Sequence, residues 1–234
     1  VSPTGHWRMS STTIGATGTL NLQAGGTLNV NGNVTNAGSI TLAGTQNWAA
    51  GTTFTNTAGT TIFTTSPGAS SAGHLAITVS GGTVHLASLD NLGALSLTGG
   101  TTTLTGPATT TTLAPSLSVG TLATLEFAAN YDLSTATSPT LTGSGLITID
   151  PGATLTLAID TAFSGSIIIN GTLFLAPALN PNAPTFNFSV VDDAPVPEPA
   201  SLLLLAIAAP MLLRRQRHPA YLGPPAAHPL SFQP

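Results

Sequence analysis

The sequence predicts an all-β fold, a single-stranded β-helix in which short strands stack as the rungs of a solenoid. Three observations carry this expectation. Short runs alternate apolar and polar residues at a period of two, glycine recurs just before those runs, and Phe, Tyr and Trp together make up only 5% of the chain. Period two sends successive side chains to opposite faces of a strand, and no stretch before residue 196 sustains the 3.6-residue period of a helix.

Thr19-Leu20-Asn21-Leu22, Thr27-Leu28-Asn29-Val30, Ser39-Ile40-Thr41-Leu42 and Leu75-Ala76-Ile77-Thr78-Val79 each present apolar side chains on one face and mainly hydroxyls or amides on the other. Thr83–Leu86, Leu95–Leu97, Leu146–Ile149, Thr154–Leu157, Ser166–Ile169 and Leu173–Leu175 continue the pattern. Gly26, Gly38 and Gly82 stand immediately before three of these runs, and Gly171 stands one residue before a fourth, in Asn170-Gly171-Thr172-Leu173. Glycine there lets the backbone turn sharply, and β-branched Thr suits the extended stretch that follows.

Many short strands fit either a solenoid or a β-sandwich, which is the alternative architecture. A sandwich of this size would bury bulky aromatics. A β-helix stacks like residues on like, with thin Leu, Val and Ile rows inside and Thr or Asn rows outside. At roughly 20 residues per rung, residues 12–189 make about eight or nine rungs, each rising about 4.8 Å. Leu20, Leu28, Ile40, Ile77, Val84, Leu97, Ile149, Leu157, Ile167 and Leu175 are the expected core. The Pro-rich stretch 177–184 is expected to end the stack.

Charged residues are 5% of the chain against about 25% in ordinary globular domains, and the four basic residues are Arg8, Arg214, Arg215 and Arg217. Between Met9 and Ser189 the only charged side chains are Asp90, Glu126, Asp132, Asp150 and Asp160. Nucleic-acid binding needs several cations on phosphates, so no nucleic-acid partner is expected. Without cysteine, disulfides and thiolate metal sites are excluded.

Candidate chemistry in this body is sparse, and no catalytic residue, cofactor or metal site is expected. Asp150 and Asp160 are the nearest plausible carboxylate pair for glycoside hydrolysis, which needs two carboxyls about 5 to 9.5 Å apart. Each reads better as a turn residue, Asp150 because Pro151-Gly152 follow it. His74, His85 and Asp90 lack a Gly-x-Ser-x-Gly elbow that would make them partners of a nucleophilic serine. His85 and Asp90 alone do not make a zinc or calcium site. Trp7, Trp48 and Tyr131 could stack on sugars, but isolated aromatics in so sparse a background read as cap or core residues.

The C-terminal region has a different character. Val196, Pro197, Glu198 and Pro199 precede an uncharged apolar run, Leu202 to Leu213, which is followed by Arg214, Arg215 and Arg217. Twelve residues at about 1.5 Å each make a helix of roughly 18 Å, short of the roughly 30 Å hydrocarbon core, and Pro210 tends to kink it. Arginines beyond an apolar run favour keeping that side cytoplasmic and act as a membrane stop. A buried helix of a soluble protein is the alternative for such a length.

The order of box, apolar segment and arginines, over residues 196–217, resembles the PEP-CTERM sorting signal of Gram-negative surface and exopolysaccharide-associated proteins. The resemblance implies recognition of Pro197-Glu198-Pro199 by an exosortase-type transpeptidase, transient retention in the inner membrane, and an extracellular-matrix setting with exopolysaccharide as a partner. More loosely, the Gly-Thr-Leu-Asn texture of the body resembles autotransporter-type passenger regions. Val1–Ser11 contain neither an initiator Met nor the apolar core of a signal peptide, so the chain is expected to be a fragment or trimmed product.

The expected organisation is an irregular segment or cap over 1–17, a solenoid body over 18–189 and a linker with the box over 190–199. A hydrophobic helix with the arginine cluster then spans 200–217, and a disordered Pro- and Ala-rich tail spans 218–234. The function expected from all of this is a non-enzymatic structural or adhesive protein, exported to the cell surface. A carbohydrate-active β-helix enzyme is the competing class, favoured if the acids cluster on one face.

Overall fold

The structure, a computed structural model, describes residues 5–67, 75–89, 92–106, 116–134, 140–178 and 188–191. They belong to one compact unit, Val1–Asp193. The expected C-terminal helix, box, arginines and tail fall outside the described residues.

The chain winds as a β-solenoid, and all strand pairs among the described residues are parallel. Its first rungs are β1 (His6–Met9), β2 (Thr12–Ile14) and β3 (Thr19–Leu22); β4 (Thr27–Val30), β5 (Val34–Asn36) and β6 (Ser39–Leu42); β7 (Thr45–Trp48), β8 (Thr53–Asn56) and β9 (Thr60–Phe63). Among the described residues the next turns contribute β10 (Leu75–Val79) with β11 (Thr83–Leu86) and β12 (Leu92–Leu97) with β13 (Gly100–Leu104). Then come β14 (Ser116–Val119), β15 (Ala123–Phe127) and β16 (Tyr131–Leu133), followed by β17 (Thr140–Gly143), β18 (Leu146–Ile149) and β19 (Thr154–Ala158). The last are β20 (Ala162–Phe163), β21 (Ser166–Ile169), β22 (Thr172–Ala176) and β23 (Ser189–Val191).

Strands of successive rungs pair into an eight-stranded sheet, β2-β5-β8-β10-β12-β14-β17-β20, and a nine-stranded sheet running from β3 to β23. Two three-stranded sheets, β1-β4-β7 and β16-β19-β22, stand beside them near the two ends. Partners on the nine-stranded sheet lie from 18 positions apart (Thr83 and Thr101) to 23 (Thr60 and Thr83), the spacing expected of a rung. The strands begin before the expected boundary at residue 18, because Trp7 and Met9 face inward in register with Leu28 and Val30. At the other end the chain pairs once more beyond the Pro-rich stretch, through β23 on β21. Proline cannot donate to a ladder, but it does not stop the chain after it from rejoining one.

Eight of the ten expected core positions are buried. Leu20 and Leu175 face inward yet are only half-buried, and among the described residues the strand of each pairs on one side alone. With Trp7, Met9, Leu22 and Leu28, Leu20 lines an apolar pocket of about 110 Å³ at the first rung. The interior is also less purely aliphatic than expected. Phe54, Phe63, Phe127, Phe163, Trp48 and Tyr131 are buried, with Trp48 edge-on to Phe54 and Phe54 edge-on to Phe63. Rows accept such rings because a large residue in one rung is offset by smaller ones above and below, as in Leu42-Phe63-Leu86.

Two asparagines also depart from the expected outward placement. Asn36 and Asn56 lie in the same inward row as Ile14 and Val79, fully buried. Asn36 Nδ2 donates to Asn56 Oδ1 at 2.8 Å and to Thr61 Oγ1 at 2.9 Å, and Asn56 Nδ2 donates to the Gly81 carbonyl at 2.7 Å. Thr61 Oγ1 in turn donates to Asn56 Oδ1, and the Gly38 amide donates to Asn36 Oδ1. Buried amides are tolerated because they satisfy one another, the Thr61 hydroxyl and, at Gly38 and Gly81, corner backbone groups. Elsewhere corners are clamped by hydroxyls, as where Thr57, Thr98 and Thr105 donate to the Asn36, Val79 and Leu86 carbonyls of the preceding rung.

Glycines stack at the corner leading into the nine-stranded sheet. Gly59 has φ +66°, and a Cβ there would overlap the Gly38 carbonyl oxygen, a backbone atom. Gly59→Ala should therefore cost more than about 2 kcal/mol. Gly51→Ala, with a similar φ of +76° but open space around it, should cost only about 1 kcal/mol. Urea unfolding followed by far-ultraviolet circular dichroism measures both, and equal losses would show that the close approach does not matter. In contrast, the Thr102 hydroxyl is buried without a partner between Val84 and Leu125. Thr102→Val should stabilise the protein by about 1 kcal/mol in the same assay.

Candidate functional site

Two outward surfaces could meet another molecule. On the eight-stranded sheet, period-two alternation directs Thr13, Thr35, Thr55, Thr78, Ser96 and Ser118 outward at one register position. A second outward row beside it runs Thr53, Ala76, Ala94, Ser116 and Thr140. No titratable side chain lies in the eight strands of this sheet.

The nine-stranded sheet differs. Its outward row reads Thr41, Ile62, His85, Thr103, Glu126, Thr148 and Ile168. Thr103 Oγ1 donates to Glu126 Oε2 at 2.6 Å. Asp150, one residue past β18, comes beside Glu126 on the neighbouring strand. Partial burial lifts the Asp150 carboxyl above its usual value near 3.8, and the Glu126 carboxylate lifts it further by repulsion and by accepting a hydrogen bond from it.

The acids are thus partly gathered and partly dispersed. The pair brought together is Glu126 with Asp150, and not Asp150 with Asp160, which stand at opposite ends of β19. The physical reason is the rung length. Side chains about one rung apart in sequence become neighbours, and Glu126 to Asp150 is one rung plus a two-residue diagonal, whereas ten residues carry the chain round to another face. That rule was available in the sequence once a rung of roughly 20 residues was recognised.

Glycoside hydrolysis relies on two carboxyls about 5 to 9.5 Å apart, one of them protonated, and Glu126 beside Asp150 is the described pair that comes nearest to that chemistry. Asp132 lies on another face, where its Oδ1 accepts from the Ser134 amide at 2.9 Å and from the Ser134 hydroxyl. Among the described residues no three of His, Asp or Glu converge as a metal site. Trp48 and Tyr131 are buried and cannot act as sugar platforms, while Trp7 is 47% exposed on the first rung. His74, Asp90, Val196, Pro197, Glu198, Pro199, Arg214, Arg215 and Arg217 lie outside the described residues. No protein-family model, curated protein or solved structure matches the chain.

The carboxyl pair has a measurable consequence. A raised value in the folded state means that the proton is held more tightly there than in the unfolded chain. The pair's contribution is fully present below about pH 3.8 and is lost as pH rises through the raised Asp150 value. Asp150→Asn removes it, so stability of parent minus variant should fall as pH rises from about 4, by less than about 1 kcal/mol because the pair is largely solvated. Chemical denaturation across that range checks the sign; a difference that rises with pH would show that the two carboxyls do not repel.

Proposed function

We propose that this protein is a non-enzymatic structural or adhesive component of the cell surface or extracellular matrix. It is exported, sorted through its C-terminal segment and associated with exopolysaccharide. The observation that carries this reading is the uncharged, hydroxyl-bearing outer face of the eight-stranded sheet, carried on a backbone stiffened by rung-to-rung hydrogen bonds. Such a surface suits repeated hydrogen bonding to neutral groups and is ill suited to acid–base chemistry. The resemblance of residues 196–217 to PEP-CTERM signals supports the surface destination: Pro197 and Pro199 keep the box extended, and the arginines resist translocation. In this reading an exosortase-type enzyme processes the chain near the box after transient retention in the inner membrane.

The Glu126–Asp150 pair favours a second reading, a carbohydrate-active enzyme. It is one pair on one sheet face, whereas the hydroxyl rows repeat over successive strands of the eight-stranded sheet, which is why the structural reading is preferred. Turnover of a polysaccharide by the purified protein, lost in Asp150→Asn, would establish the enzymatic reading instead.

Mass spectrometry of the surface-exposed protein from its native host tests the sorting step. The expected mature form ends near Pro199, and Glu198→Ala should shift the population to unprocessed chain. Recovery of an intact C-terminus through Pro234 on exported protein, unaffected by Glu198→Ala, would reject sorting.

A further inference from the structure

The hydroxyls of the solenoid fall into two classes. Those at the corners are spent on the fold: Thr57, Thr64, Ser80, Thr98, Thr105 and Ser164 each donate to a carbonyl of the preceding rung. Those of Thr13, Thr35, Thr55, Thr78, Ser96 and Ser118 hydrogen-bond to no described residue. They project from six consecutive strands at one register position, each about 4.8 Å from the next along the stack.

We infer that this ladder on the eight-stranded sheet is a binding site for a neutral, extended β-linked polysaccharide lying along the solenoid axis. The inference deepens the matrix function by assigning the site and the class of glycan. Neutrality follows from charge: the strands of this sheet contain no cation to pair with an acidic sugar and no anion to repel one. The nine-stranded face is a poorer candidate, because His85 and Glu126 interrupt it with titratable groups and Ile62 and Ile168 with bulky apolar ones. An extended chain is required because the rungs hold the hydroxyls in a straight row, at a step close to the advance of one sugar residue in an extended β-linked glycan. One sugar then meets one rung.

The energetics favour a long ligand over a short one. Each hydroxyl exchanges a water for a sugar hydroxyl, so a single contact adds little to binding. Repetition along one rigid surface makes each later contact intramolecular, so avidity grows with chain length. Thr and Ser on a strand lose little rotamer freedom on binding, which keeps the ordering cost low. The row Thr53, Ala76, Ala94, Ser116 and Thr140 beside the ladder carries only small side chains, so a chain can lie flat against both rows.

Sedimentation of the full-length chain with insoluble cellulose, a neutral β-1,4-glucan, tests the assignment, with alginate beads as the acidic comparison. The triple variant Thr55→Val, Thr78→Val, Ser96→Ala should lower retention at least about tenfold, as expected for three lost hydrogen bonds. The matching triple on the other sheet, Thr60→Val, Thr83→Val, Thr101→Val, should stay within about twofold. Thr55→Ser with Thr78→Ser keeps the hydroxyls and should keep retention within about threefold, which separates the chemistry of the ladder from any loss of fold. Equal losses in the two triples, or tighter retention on alginate, would overturn the inference. So would a parent that cellulose does not retain; if that parent arrests ice growth and the first triple does not, the ladder binds an ordered water lattice instead. These outcomes are read in vitro and are independent of export, so the site can fail while surface sorting stands, and the reverse.

Discussion

Everything in this protein depends on parallel strands stacking in strict register from rung to rung, and that register depends on how closely the backbone can approach itself at one corner. Gly18, Gly38, Gly59, Gly82 and Gly100 occupy the same corner position in successive rungs, and Gly145 and Gly165 occupy it again after Ala123. A side chain at most of these positions would collide with a carbonyl of the rung before. Because that carbonyl belongs to the ladder, it cannot move aside without breaking the hydrogen bond that sets the next rung. The Thr and Ser clamps at the strand ends then tie the corners down, and the interior rows line up as a consequence.

With the register set, the interior tolerates more variety than a homogeneous aliphatic stack. Aromatic rings fit because rows can alternate large with smaller residues, and Asn36 and Asn56 fit because their amides satisfy one another, Thr61 and the corner backbone. Thr102 is the exception, a hydroxyl buried without a partner. Stability in such a stack is close to a sum over rungs and their interfaces, so each feature acts locally. The half-burial of Leu20 and Leu175 is the same statement made at the two ends.

The alternation that builds the core also divides the outside. The eight-stranded sheet presents hydroxyls without titratable groups, and the nine-stranded sheet carries His85 and the Glu126–Asp150 pair. A rigid array favours weak contacts repeated many times over one strong contact at a pocket, which suits adhesion better than turnover. The carboxyl pair makes that second face responsive to pH.

By itself the sequence determined the all-β class, the solenoid, the rung length and eight of ten named core positions, because period-two alternation and corner glycines are local signals that a parallel stack reads out directly. It also carried the charge-poor body and the tripartite segment at 196–217. Tertiary structure alone decided which distant residues meet. Glu126 joined Asp150 in place of Asp160, Asn36 and Asn56 turned inward, and the corner hydroxyls were separated from the free ones of the ladder. Those outcomes depend on register across a whole rung, where a change of one residue in rung length moves a side chain to the opposite face.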